Sequence, residues 1–379
     1  MIERETEVNH VPDYPGNRGR MRMPAHALAL VCAAFLVCVS ACLADAQTTA
    51  PGWAYGYLTS AAPGATVPAC ADARPISCAW PSGPVSDNGV LLHLPGTDAA
   101  FTLPQIAADY GPADWYPNDH PPMPGIVAHG REQDGLRACG LCHFPNGKGK
   151  MENGGVAGLS ASYVLKQLAD FKNGLRRSAD PRKANTNEMI AIARSLTESE
   201  SKIAAEYFAS LKWTPWVKVI ESATAPKVRT SVNGLFLPLA GGATEPLGQR
   251  IIEVPENPER TDKYRDPRSG FLAYVPIGSL AKGEALVTTG IDVGAGNDSQ
   301  SPANKKTMPC GACHGPELKG KGDVPGIAGR SPSYTMRQLW DMQQGTRNGA
   351  GAKLMKGVVA KLSLDDMIAI TAYVTSREP

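Results

Sequence analysis

Aromatic residues are scarce in this chain, at 6% of 379 residues, and neither sign of charge dominates: 38 Lys and Arg against 36 Asp and Glu leave a formal net charge of +2. That balance removes the electrostatic footprint of a nucleic-acid binder or of a protein steered to a strongly acidic partner. Beyond residue 46 there is no apolar run long enough to cross a bilayer as a helix. Thirty-nine glycines and 32 prolines leave little room for long uninterrupted elements, so much of the chain is expected as loop. What is present is ordinary globular material, 42% apolar and 20% charged, long enough for two or three domains.

The N-terminus reads as an address and not as fold. Arg18, Arg20 and Arg22 precede an apolar run from Ala25 to Leu43, and small residues follow at Ala44-Asp45-Ala46. A basic region, an apolar region and an A-x-A-like end make a secretory signal over residues 1–46, with Met21 or Met23 a plausible start. The same run is about the length of a membrane span, so an uncleaved anchor is the alternative. Val39-Ser40-Ala41-Cys42 resembles a lipoprotein-processing site, which would leave Cys42 lipidated. Cleavage after Ala46 leaves Cys70, Cys78, Cys139, Cys142, Cys310 and Cys313. A location in the periplasm follows, with the membrane reached only through lipid on Cys42 or an uncleaved signal.

Four of those cysteines carry the chemistry. Cys139-Gly140-Leu141-Cys142-His143 and Cys310-Gly311-Ala312-Cys313-His314 are both C-x-x-C-H, the attachment signature of c-type haem. Two thiols about one helical turn apart can each add to a haem vinyl group, and the next residue then aims its imidazole at the iron from the same side. A zinc ribbon or a thioredoxin-like pair also uses C-x-x-C, but neither needs a His directly after both pairs. Cys139, Cys142, Cys310 and Cys313 are therefore expected to attach two covalent haem c groups, with His143 and His314 as iron ligands. The leftover Cys70 and Cys78 are expected to form a disulfide in an exported protein.

The two halves superimpose as sequence. From Cys139 and Cys310 they align without a gap to Arg176 and Arg347, matching Gly158 with Gly329, Tyr163 with Tyr334, Gln167-Leu168 with Gln338-Leu339, and Gly174 with Gly345. After a five-residue insertion in the first half, Met189 matches Met355, Leu196 matches Leu362 and Tyr207 matches Tyr373. Such a shared period means two copies of one structural unit. Tyr163, Leu165, Leu168 and Phe171 have helical spacing, and Thr197 with Glu200, like Ser363 with Asp366, forms a capping box before a helix. Each unit is expected as a short helix before the motif, a looped middle, one helix, an irregular strap and a final helix.

On these motifs and this repeat, each half resembles a class I cytochrome c domain, and the whole resembles the tandem di-haem cytochromes c. The fold class implied is mainly α: domain 1 over residues 122–213 and domain 2 over 280–379, with a loop-rich extension at 47–121 and a β-rich connector at 214–279. The resemblance implies that the strap supplies the second axial ligand, placing Met189 and Met355 on iron. Met123, Met151, Met308, Met336, Met342 and Met367 are expected as packing. In the family, a Pro after the motif often offers its carbonyl to the His ring N–H. Pro325 fits that place, but Gly154 stands there in the first half. Arg176 and Arg347 either reach haem propionates or sit in solvent, and Tyr163 and Tyr334 either pack or donate to propionates. His93, His120 and His129 are expected to be ordinary surface histidines.

In the connector, Val217–Ile220, Arg250–Val254 and Phe271–Val275 read as strands, which would pack across both haem units. Iron closed by His and Met changes oxidation state without binding substrate, so the expectation is an electron-transfer protein and not an enzyme. Its partners would be redox proteins: a dehydrogenase or membrane complex as donor, an oxidase or another cytochrome as acceptor. The alternatives are a cytochrome subunit of a dehydrogenase complex, or a di-haem enzyme that is peroxidase-like or thiosulfate-oxidising.

Overall fold

A computed structural model describes residues 49–62, 64–65, 86–231, 234–292 and 304–379. The expected signal, its processing at Ala46 or Cys42, and the Cys70–Cys78 pairing lie outside these residues.

The duplication is written into the backbone. In the first unit, α1 (Gly125–Ala128) leads to the motif helix α2 (Cys139–His143), then α3 (Ala161–Lys172), α4 (Ala184–Ser195) and α5 (Glu198–Ser210). After the connector, α6 (Ser279–Thr289), α7 (Gly311–His314), α8 (Pro332–Gln343), α9 (Ala350–Val359) and α10 (Leu364–Ser376) repeat the order. Loop bonds recur in register: Gly149 N–H donates to His143 O and Gly320 N–H to His314 O, both at 2.8 Å. Likewise Gly158 N–H donates to Phe208 O and Gly329 N–H to Val374 O, both at 3.0 Å, tying each loop to its final helix. Both capping boxes form, Thr197 with Glu200 and Ser363 with Asp366.

The straps depart from the expectation of irregular chain. Met189 and Met355 sit on helices α4 and α9. Neither segment has an internal proline, but neither is rich in strong helix formers: α4 carries two Asn, a Thr and two Ile, and α9 two Gly and two Val, so packing sets these helices more than propensity does.

In the second unit α6 crosses α10 so closely that only glycine fits at the crossing: a Cβ on Gly283 would lie 2.0 Å from Ala369 O. The connector strands are β1 (Val217–Glu221), β2 (Thr224–Pro226), β3 (Val228–Thr230), β4 (Phe236–Pro238), β5 (Thr244–Pro246), β6 (Ile252–Pro255) and β7 (Phe271–Val275). β7 is central in a three-stranded sheet, parallel to β1 (Val217 opposite Phe271) and antiparallel to β6 (Ile252 opposite Tyr274). β2 pairs with β5 and β3 with β4, both antiparallel. The sheet's core is continuous with the second unit: Phe271, Ile252 and Val254 share one buried cluster with Trp340, Met367 and Ile370. Its reach to the first unit is thinner, through Met151 and Trp213 and a bond from Asn146 Nδ2 to Pro267 O at 2.9 Å.

The extension contributes more than loop. Trp53, Ala54 and Tyr55 form a buried helical turn inside that same cluster. A separate small core of Leu94, Ile106, Trp115 and Tyr116 closes the stretch before α1.

Candidate haem centres

In the first unit, α2 places Cys139, Cys142 and His143 on one wall of a cavity that Met189 of α4 also lines. Val164, Leu168 and Phe171 of α3, Ile192 of α4 and Phe208 of α5 add apolar walls. His143 Nδ1–H donates to Gly154 O at 2.8 Å, which fixes the tautomer and leaves Nε2 for iron. Burial and the nearby Arg176 charge push the His143 pKa down, so the ring is neutral at pH 7, as a ligand must be. Burial raises the Cys139 thiol to about 12 and Cys142 to about 11. The chain leaves α2 through Phe144 at φ 62°, where the second unit has Gly315 at φ 82°. A non-glycine residue there stores strain, and the buried Phe144 ring offsets it.

The second unit repeats the bond to the imidazole. His314 Nδ1–H donates to Pro325 O at 2.7 Å, and burial again lowers its pKa. Met355, Cys310 and Ile327 are each partly buried against the core that includes the second unit. None of the four motif cysteines is in a disulfide.

The substitution of Gly154 for the family's proline has a structural reason. The Tyr334 ring of the second unit lies against it, and a Cβ there would stand 3.0 Å from the ring. A side chain at 154 would crowd that ring, so close approach between the units favours glycine there.

Arg176 and Arg347 are neither solvated nor independent. Arg176 donates to Gln167 Oε1 (3.0 Å) in its own unit and to Tyr334 Oη (2.9 Å) and Gln338 Oε1 (3.1 Å) in the other. Arg347 mirrors it, donating to Gln338 Oε1 (2.9 Å), Tyr163 Oη (2.9 Å) and Gln167 Oε1 (2.9 Å). A backbone bridge between the two arginines completes a two-fold-like seam. The repeat alignment names these six residues as matched pairs, yet nothing in the sequence says that each pair reaches across to the other copy.

The seam makes the first cavity a joint product: Tyr334, Arg337, Gln338 and Asp341 of α8 line it. Arg176, Arg337 and Lys183 line it as well, and Lys183 is only 3% exposed. Burial and the Arg337 charge hold the Lys183 pKa well below its ordinary value. Buried cations without an ion-pair partner are costly, and the two propionates of a haem would offer one. Thiols, a fixed imidazole, apolar walls and unpaired cations thus fit covalent haem, which when bound supplies iron cycling between ferric and ferrous.

His120 is held by Asp114 (3.2 Å) and Pro121 O (2.9 Å), and neither it, His93 nor His129 lines this cavity. Met151, Met336, Met342 and Met367 are buried and Met123 is partly buried, as expected for packing, but Met308 is 40% exposed and does not serve as core. The sequence reading also missed Lys183 and Asp341, which no motif marks.

No family model matches the chain. A cytochrome c4 of Pseudomonas aeruginosa is 25% identical over 240 residues, covering 62% of this chain and 82% of that protein. A thiosulfate dehydrogenase electron acceptor of Stutzerimonas stutzeri is 24% identical over 251 residues, 65% of this chain and 82% of that protein. Cytochrome c-554(548) of Halomonas halodenitrificans is 33% identical over 88 residues, 23% of this chain but 98% of that protein. The match to cytochrome c-554(548) takes in nearly all of that protein within 88 residues of this chain. With two attachment sites, a repeated fold and these relatives, the chain belongs to the di-haem class I cytochromes c and carries two covalently bound haem c groups.

Proposed function

We propose that both irons are six-coordinate, held by His143 with Met189 and by His314 with Met355, and that the chain is a periplasmic single-electron carrier. The observation that carries this reading is the pair of His Nδ1–H bonds to Gly154 O and Pro325 O, which leave both Nε2 atoms available to ligate iron from one side. Met189 in the His143 cavity supports closure from the other side. Closed iron exchanges an electron with little rearrangement and offers no position for substrate. A dehydrogenase or membrane complex would donate, and an oxidase or another cytochrome would accept. One relative is named as the electron acceptor of a dehydrogenase, which favours that class of donor.

Ferric optical spectra test the ligand set. The wild type is expected to show the far-red Met-to-iron charge-transfer band, and Met189→Ala and Met355→Ala each to lose about half of it. Absence of the band, or no loss in either variant, contradicts the assignment. Peroxide turnover with a reductant present would instead support a di-haem enzyme.

A further inference from the structure

Asp341 of α8 is the one acid from the second unit that lines the cavity holding His143, and it is 6% exposed. The buried Tyr55 of the extension donates its O–H to Asp341 Oδ1 at 2.7 Å, and Ala179 N–H donates to the same oxygen at 2.8 Å. Arg337 does not pair with this carboxylate; it donates to Ala54 O at 2.7 Å and Met151 O at 3.0 Å. The groups around Asp341 are Tyr55 on the extension, Asp180 and Lys183 on the loop beyond Ala179, Arg337 and Tyr334 on its own helix, and Arg347 after it. Burial outweighs these partners and raises the Asp341 pKa to about 6, so the group is poised between its two forms near neutral pH. The repeat-matched Asp170 is built differently. It is half-buried, accepts only a long bond from Gln167 Nε2 at 3.5 Å, and has Gly349 where a Cβ would come within 2.0 Å of its Oδ2.

We propose that Asp341, clamped by Tyr55, is a redox-linked proton site for the first haem: its carboxylate takes one proton from solvent as that centre gains one electron, and releases it on oxidation. The inference rests on haem occupying the His143 cavity. An electron added there makes the cavity more negative and raises proton affinity in the low-dielectric interior. Asp341 therefore has a higher pKa in the ferrous than in the ferric protein. Between those two values the potential falls as pH rises, and it is flat on either side. The extension, foreign to a minimal cytochrome unit, would thereby link the first centre to protons.

Spectroelectrochemical titration of the holoprotein from pH 4.5 to 8.5 tests this, the first haem being the component that Met189→Ala displaces. In the wild type that component is expected to drop across a window near pH 6. A tenfold change in proton affinity between redox states separates the two limbs by ~59 mV. Asp341→Asn is expected to be pH-independent and to lie at the wild-type acid limb. Tyr55→Phe removes a donor to the carboxylate, so its window moves to higher pH. Asp170→Asn keeps the wild-type window. A flat wild-type profile, a wild-type slope persisting in Asp341→Asn, or an unmoved window in Tyr55→Phe overturns the proposal. If Asp341→Asn does not fold, Tyr55→Phe alone decides. These failures leave both haems and the charge-transfer band in place, so they are separable from failure of the carrier reading.

Discussion

A chain with alanine at both Cys139 and Cys142 is expected to mature with one covalent haem instead of two and with its first unit largely unstructured. The second unit owes its core to the connector, to Trp53 and Tyr55, and to the α6–α10 crossing, so it has apolar burial of its own. The first unit is poorer. No residue of α3 is buried, and Val164, Leu168 and Phe171 turn instead to the cavity. Their packing partner is the cofactor, and a ligand that binds only the folded state adds its binding free energy to stability. Without the thioether bonds that term is lost, and the apolar wall faces water at about 25 cal/mol per Å2. The checks are the haem-to-protein ratio by pyridine haemochrome and the helical circular dichroism. A halved ratio with reduced helicity is expected; a ratio equal to wild type would contradict the attachment site.

The second large effect is expected at Arg330. Its buried guanidinium lies 4.4 Å over the Trp213 ring and donates to Gly326 O (2.7 Å), Gly155 O (2.9 Å) and Ala157 O (3.1 Å). Burial lowers its pKa to about 10, so it remains charged at neutral pH. One side chain of the second unit thus fastens the first unit's loop beside Gly154, whose carbonyl orients His143. Arg330→Ala would leave buried carbonyls unpaired and remove the stacking, a loss of about 3 kcal/mol. Arg330→Lys, lacking the planar fork, would recover only part. Denaturant unfolding of the holoprotein checks it; a loss below about 1 kcal/mol in Arg330→Ala would show that the clamp contributes little.

Much of this was legible in sequence because local chemistry demands it. Cysteine spacing with a following His can serve little else, and both capping boxes are four-residue signals. The strands around Val217, Ile252 and Phe271 announced themselves by β-branched and aromatic runs. What stayed hidden depends on approach between distant segments. Gly154 reads as a defect until the Tyr334 ring is seen against it. Arg176 reads as a propionate partner or a solvated side chain until Tyr334 and Gln338 of the other unit accept from it. Trp53 and Tyr55 lie in a Pro- and Gly-flanked stretch with no periodicity, yet both enter the core, and Tyr55 meets Asp341, 286 positions away. The helical straps belong with these, since neither α4 nor α9 is rich in strong helix formers and the expected irregular course gives way to packing.

Two thioether-linked haems whose irons are closed to everything but electrons can be tested by the optical spectrum of the exported, reduced protein before and after carbon monoxide. Two c-type haems per chain are expected, with bands that carbon monoxide leaves unmoved. A chain with fewer than two, or a prompt shift of the main band marking an open iron, would contradict that expectation.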